Sequence, residues 1–172
     1  RDVERLKKEV SIFSPDIIIH MAAQALVRKS YQDPIDTFST NIMGTVNLFE
    51  SARASTSVQT ILNVTTDKCY QNNEWQWGYR ENEPLGGKDP YSSSKACAEL
   101  VTSAYAHSFF NENPITQRKI NIATARAGNV IGGGDWAPDR LITDVISSLN
   151  NNENVTLRNP SATRPWKLVF DA

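Results

Sequence analysis

A chain of 172 residues with 40% apolar and 22% charged side chains can bury the core of one globular domain, which excludes disordered and fibrous classes. Its formal net charge of −1 gives no bulk attraction to nucleic acid or an anionic membrane. Two cysteines are too few for a disulfide framework, two histidines without metal spacing argue against zinc, and no apolar run approaches the ~20 residues of a membrane span. The charged, amphipathic start from Arg1 to Val10 lacks the apolar stretch of a signal peptide, so a cytoplasmic setting is expected.

Val3, Leu6, Val10 and Phe13 recur at helical spacing and predict an amphipathic helix over residues 2–14, ended by Pro15-Asp16. Ile17-Ile18-Ile19 follows as a short, wholly apolar strand of the kind buried on both faces. Asp33-Pro34 opens a second helix to about Arg53. Thr60 to Val64 is the next strand, and Gln71 to Asp89 a long polar loop. A helix from about Tyr91 to Phe110 leads to a strand at Ile120 to Ala125. Gly128 to Pro138 reads as loop, Leu141 to Leu149 as helix, and Val155 to Leu157 as a short strand; the end, Lys167 to Ala172, is strand-like. Alternating strands and helices imply an α/β fold with a parallel sheet, in which ligands sit beyond the carboxyl ends of the strands. That rule directs attention to His20–Gln24, Thr65–Lys68 and Arg126–Asn129.

Tyr91 and Lys95 stand four apart at the start of a helix, which puts both on one face. An ammonium there favours the phenolate and lets a tyrosine act as a base closer to neutrality. The same spacing also arises by chance on solvated helix faces, so the pair alone fixes nothing. Thr65-Thr66-Asp67-Lys68 brings a hydroxyl, a carboxyl and an amine to a strand tip, although these are also ordinary turn residues. The small residues of His20-Met21-Ala22-Ala23 admit either a flat ligand or a closely packed helix, and His20 reads as a structural histidine. Gly132-Gly133-Gly134-Asp135-Trp136 is similar to a phosphate loop but lacks its Lys-Ser/Thr. Arg126, Arg140, Arg158 and Arg164 could converge on a diphosphate, though each alone also suits a surface.

Five short words occur in one order: His20-Met21-Ala22-Ala23, Asn41-x-x-Gly44-Thr45, Thr65-Thr66-Asp67-Lys68-Cys69-Tyr70, Tyr91-x-x-x-Lys95 and Arg126-Ala127-Gly128-Asn129-Val130. Together they resemble the extended short-chain dehydrogenases that modify nucleotide sugars. Trp77-Gly78-Tyr79-Arg80-Glu81, Gly86 to Ser92, Gly128 to Trp136, and Arg158-Asn159-Pro160 through Arg164-Pro165-Trp166 resemble the branch of that family that dehydrates CDP-glucose. The likeness runs over essentially the whole chain.

The resemblance implies a doubly wound, Rossmann-like sheet, with residues 1–130 a partial NAD-binding domain and 131–172 the start of a nucleotide-sugar region. The family's N-terminal strands and part of its substrate domain would lie outside the chain. It further implies an internal redox cycle on bound NAD. Tyr91, with Thr66 and Lys95, would take the proton from the sugar's 4-hydroxyl as hydride leaves C4. Asp67 would protonate the departing 6-hydroxyl, and Lys68 stands where related dehydratases carry the glutamate that removes the C5 proton. A lysine serves there only when neutral, a form that Lys95 and an oxidised nicotinamide would favour.

By the same resemblance, Met21, Ala22, Ala23, Gln24, Thr40, Tyr91, Lys95 and Gly128 would line the NAD site, and Asn129, Arg140 and Arg164 would hold the nucleotide diphosphate. A homodimer through helices 35–53 and 91–110 is implied as well. An epimerase of the family would share Tyr91 and Lys95 but would not need Asp67-Lys68. No glycine precedes Gly44, so the glycine-rich NAD turn is absent. The isolated chain is therefore expected to be inactive, with an open edge at Ile17-Ile18-Ile19. Lys167-Leu168 replaces the family's usual Gln-His, which alters the surroundings of the nucleotide.

Overall fold

The computed structural model describes residues 2–111 and 119–171. The chain forms two compact units, Arg1–Arg126 and Ala127–Ala172. In the first, helix α1 (Val3–Phe13) begins where the Asp2 carboxylate accepts from the Arg5 backbone N–H at 3.0 Å. It ends at Ser14, whose left-handed backbone (φ 49°) stops the helix just before Pro15. Strand β1 (Ile17–His20) pairs in parallel with β2 (Thr60–Thr66), Ile17 opposite Thr60 and His20 opposite Asn63. β3 (Asn121–Ala127) lies on the other side of β2, giving the order β1-β2-β3.

The β1–β2 crossover holds more helix than its sequence suggests. A short helix α2 (Val27–Gln32) precedes the break at Asp33-Pro34. The Asp33 carboxylate then caps α3 (Pro34–Phe38), accepting from the Asp36 N–H at 2.9 Å, with Pro34 in the first turn. The expected single helix is not uniform: a π-helical turn, Ser39–Met43, separates α3 from α4 (Gly44–Ala54). Such a turn inserts a residue into the helical ladder and re-aims the side chains on it. Here it carries the buried Asn41. α5 (Pro90–Tyr105) connects β2 to β3, capped by the Asp89 carboxylate on the Ser92 N–H at 2.9 Å, and ends in a second π turn, Ala106–Phe110.

The core of this unit joins Val10, Phe49, Ala52, Val58, Ile61, Phe110 and Ile120. Phe49, with 0% of its surface exposed, meets Phe110 edge-on (centroids 5.9 Å apart, planes at 79°) and Tyr105 at 5.3 Å. β1 departs from its expected burial. Ile18 packs on this core, but Ile17 and Ile19 are 63% and 60% exposed. Alternate residues of a strand point to opposite faces, and in this unit one face of β1 meets the core while the other stays open.

In the second unit, β4 (Asn129–Ile131) pairs in parallel with β5 (Trp166–Leu168). Gly128 is required for that approach, since a Cβ there would lie 2.6 Å from Pro165 Cγ and 2.7 Å from its carbonyl oxygen. Two expectations are corrected. Residues 129–131 are strand rather than loop, and Val155 to Leu157 form no strand. A strand exists only where a partner completes its ladder. The partner of β4 is Trp166–Leu168, which overlaps only the start of the expected strand-like run; Val169–Asp171 form a 3₁₀ turn instead. α6 (Leu141–Asn150) follows the glycine loop, in which Gly134 takes φ +83°.

Candidate active site

Along β2 the buried positions are Ile61, Asn63, Thr65 and Thr66, and α5 lies against them. Successive turns of α5 present Tyr91, Lys95, Glu99 and Thr102, and these meet the strand with polar rather than apolar contacts. Asn63 Nδ2 donates to Thr102 Oγ1 at 2.9 Å, the Thr65 hydroxyl donates to Glu99, and Lys95 Nζ donates to the Val64 carbonyl at 3.2 Å. Tyr91 and Lys95 are each only 8% exposed, so the alternative of a solvated helix face is overturned.

Thr66 ends β2, and Asp67 to Cys69 form a 3₁₀ turn directly after it. Thr66 Oγ1 donates to Asp67 Oδ1 at 3.1 Å and accepts from the Lys68 backbone N–H at 3.3 Å. The turn packs on α5. Thr66, Asp67, Lys68, Tyr91 and Lys95 thus come together where the tip of β2 meets the first turns of α5. Desolvation by burial lowers the pKa of Lys95 below the ordinary lysine value, partly opposed by the negative Glu99. His20, at the tip of β1, is pulled down to about 4, first by burial and then by the charge of Lys95, so it is neutral near pH 7. Its Nε2 lies 3.2 Å from Thr45 Oγ1, whose single proton already goes to the Asn41 carbonyl at 2.7 Å. Nε2 therefore carries the ring proton and donates it to Thr45.

After β1, Met21 and Ala22 are exposed and Ala23 is half-buried. Gln24 is different: it is committed on every side. Its backbone N–H donates to Asn41 Oδ1 (2.8 Å) and its carbonyl accepts from Asn41 Nδ2 (3.0 Å). Its side chain donates to the Leu26 carbonyl and Thr37 Oγ1 and accepts from the Leu26 N–H. Asn41 Nδ2 also donates to Ser94 Oγ at 2.8 Å, which donates to the Tyr91 carbonyl. Ser30 Oγ accepts from the Tyr91 N–H at 3.2 Å. Thr40 is half-buried in the same π turn. This buried network locks the start of α5 to the segment after β1, and Asn41, Ser94 and Ser30 were not singled out as site residues from sequence. Asn41 was signalled in the sequence by the Asn41-x-x-Gly44-Thr45 word, whereas Ser30 and Ser94 stand in none of the words' matched positions.

Arg126 departs from the sequence expectation of an arginine free to meet phosphate. It donates to both oxygens of Glu99 (3.0 and 2.9 Å), to the Tyr70 hydroxyl and to the Glu81 carbonyl, and its guanidinium lies 4.8 Å from the Tyr70 ring centroid. Tyr70 stacks on Tyr79 at 5.0 Å, and Tyr79 contacts Trp75, which stacks on Trp77. That ladder orders part of the 71–89 loop. Burial pushes the Cys69 thiol up to about 11, which makes it unreactive near neutrality.

Within the second unit, Asn129 faces Trp166 across the β4–β5 ladder, and its Oδ1 is buried without a hydrogen-bond partner. Arg140 pairs with Asp135 at 3.0 Å while its Nε is buried without a partner. Arg164 is exposed and donates to the Thr163 carbonyl. Arg158 is held by Asp139 and Asp144. Among the described residues, no group of three or more His, Cys, Asp or Glu is placed to hold a metal, and no helix is long and apolar enough to cross a membrane.

The sequence is 56% identical over 171 residues to the CDP-glucose 4,6-dehydratase of Salmonella typhimurium, covering 99% of this chain and 48% of that protein. It is 30% identical over 167 residues to the dTDP-D-glucose 4,6-dehydratase of Dictyostelium discoideum, covering 91% of this chain and 36% of the relative. The chain therefore spans about half, or less, of the length of these relatives. Among solved structures it resembles DesIV, a dTDP-glucose 4,6-dehydratase from Streptomyces venezuelae crystallised with NAD and TYD bound. The TM-score is 0.85 at 26% identity, over 99% of this chain and 49% of that one. A UDP-glucuronic acid 4-epimerase from Bacillus cereus, at 22% identity and TM-score 0.83, shares the fold. The sequence profile of the GDP-mannose 4,6 dehydratase family matches residues 1–172, and this chain, a Rossmann-like α/β protein, belongs to that family.

Proposed function

We propose that the whole protein dehydrates CDP-glucose to CDP-4-keto-6-deoxyglucose, using NAD that is regenerated within each cycle. One observation carries this reading: a buried Tyr91–Lys95 pair lies against a strand tip that supplies a hydroxyl, a carboxyl and an amine in succession. The first pair suits alcohol oxidation. The acid and base beside it suit elimination of water, and an epimerase has no use for them. The 56% identity to a CDP-glucose enzyme favours that nucleotide.

NAD fits the residues present. The Lys95 ammonium has three donors and gives one to Val64, leaving capacity for ribose hydroxyls, and the small Ala22 and Ala23 leave room for a flat ring. Met21, Thr40, Tyr91 and Gly128 complete the proposed cofactor residues, with Gln24 contributing by holding the backbone there. When bound, NAD would supply the hydride-transfer chemistry between C4 and C6 of the sugar. Tyr91 takes the 4-hydroxyl proton, with the Lys95 charge stabilising the phenolate and Thr66 holding the sugar oxygen. The 4-ketone acidifies C5–H, Lys68 in its neutral form removes that proton, and Asp67 protonates the 6-hydroxyl as it leaves as water. Asn129, Arg140 and Arg164 would bind the diphosphate; the buried Asn129 and Arg140 atoms without partners are consistent with a missing polar ligand.

We also place the reaction in the cytoplasm, where Cys69 and Cys97 stay reduced. A homodimer through helices 35–53 and 91–110 is proposed, supported by exposed Ile35, Met43 and Leu100 on these segments. The reaction is tested by incubating the full-length protein with CDP-, dTDP- and GDP-linked sugars and following the 4-keto product. CDP-glucose should be converted preferentially. Lys68→Ala should retain hydrogen exchange at C4 and lose water elimination; normal dehydration by that variant refutes the role given to Lys68.

A further inference from the structure

Glu99 is a buried carboxylate, its side chain 4% exposed, for which the chemistry above has no task. Both of its oxygens are occupied. Oε1 accepts from the Thr65 hydroxyl and from Arg126 Nε, and Oε2 from Arg126 Nη2. Thr65 comes from β2 and Arg126 from β3, while Arg126 is itself fixed by Tyr70, just before the 71–89 loop, and by the Glu81 carbonyl within it. The carboxylate cannot swing. Burial works against its charge, but the Arg126 and Thr65 hydrogen bonds outweigh that and hold the carboxyl below the usual glutamate range. A buried ion pair of this kind returns little net stability, because desolvation consumes most of the Coulombic gain. Its effect is to be sought in the field it creates.

Glu99 lies four residues after Lys95 and eight after Tyr91, on the face of α5 that packs on β2. Burial drives Lys95 towards the neutral amine, which would remove the charge that stabilises a phenolate at Tyr91. The other elements around α5 offer Lys95 little help. His20 from β1 is neutral, and β2 supplies the Val64 carbonyl. The 3₁₀ turn carries Asp67 and Lys68 side by side, and the Cys69 thiol, which is neutral near pH 7. On α2, Arg28 and Lys29 are exposed, and Lys29 pairs with Asp36 of α3 at 3.3 Å. Farther along, Tyr105 of α5 donates to Glu50 of α4, which pairs with Arg53 at 2.8 Å.

We infer that Glu99 is a positioning residue that acts through Lys95: clamped by Arg126 and Thr65 one helical turn away, its carboxylate keeps the Lys95 ammonium charged and so keeps Tyr91 poised to accept a proton. The inference rests on the reading of Tyr91 as the base. Arg126 and Thr65 serve by immobilising the negative charge, and the Tyr70 contact ties that charge to the loop beside the active-site turn.

The test is an NMR titration of Lys95 in the full-length protein labelled at lysine Cε, the signal being assigned by its loss in Lys95→Arg. Removing a fixed negative charge one turn away in Glu99→Gln should lower the Lys95 midpoint by at least about one pH unit. The alkaline limb of kcat should move down with it, and KM should change little, since Glu99 does not meet substrate. A residue of merely structural importance would lower the melting temperature without moving the midpoint. Should Glu99→Gln fail to fold because it strands the Arg126 charge, Glu99→Gln/Arg126→Gln buries no charge there and should show a smaller fall. A Lys95 midpoint identical to that of the parent in either folded variant overturns the inference. The midpoint is read without turnover, so failure of the parent to dehydrate any nucleotide sugar would sink the assigned reaction separately.

Discussion

His20 offers a direct measure of how burial at the strand tips is linked to pH. Folding pulls its pKa from 6.5 to about 4. The folded state therefore binds fewer protons than the unfolded state in this window, and stability must fall as pH falls. The contribution is fully present above the unfolded value of 6.5 and is lost progressively down to about 4. Between pH 8 and pH 5 the loss works out at about 2 kcal/mol, and by pH 4 at about 3 kcal/mol. Glu99 has the opposite origin but the same sign: its depressed carboxyl stabilises the fold above the ordinary glutamate range and weakens it only at lower pH, outside the upper window. The perturbation is His20→Gln, which keeps an N–H donor for Thr45 but cannot titrate. Urea unfolding at pH 8 and pH 5, followed by tryptophan fluorescence, should show the parent losing about 2 kcal/mol more than the variant between the two pH values. Equal pH dependence in the two proteins refutes the argument, whatever the absolute stability of the variant.

Tyr91→Phe should lower the rate of the first hydride transfer by roughly 10²–10⁴-fold, the loss expected of a general base, as read by single-turnover absorbance of reduced cofactor; a change of only a few-fold would show that the buried phenol is structural. Phe49→Ala removes a ring with no exposed surface and should cost about 3–5 kcal/mol in urea unfolding at pH 8, more than any single exposed substitution on α1. The proposed dimer predicts a sedimentation mass near twice that of the protomer at micromolar concentration, and a monomer would refute the role given to helices 35–53 and 91–110.

The α/β class, the major strands of the first unit and the Tyr91–Lys95 and Thr66–Lys68 words were legible in the sequence because each is local. Hydrophobic period, Asp-Pro starts and short words depend on neighbours a few residues apart. The burial of Tyr91 and Lys95 was not legible, since the same spacing serves a solvated face. It follows from β2 lying against α5, a contact between residues some thirty positions apart. The pairing of β4 with β5 was missed for the same reason: residues 129–131 are strand only because residues 166–168 complete their ladder. Ile17-Ile18-Ile19 forms the strand that its apolar run predicts, but its exposure depends on what covers each face. Arg126 shows the division most plainly. Its side chain alone suggested phosphate, and only the approach of Glu99, Thr65 and Tyr70 from three other segments turns it into half of a buried ion pair. Local spacing determines which residues can share a face; long-range packing decides whether that face meets water, a ligand or another charge.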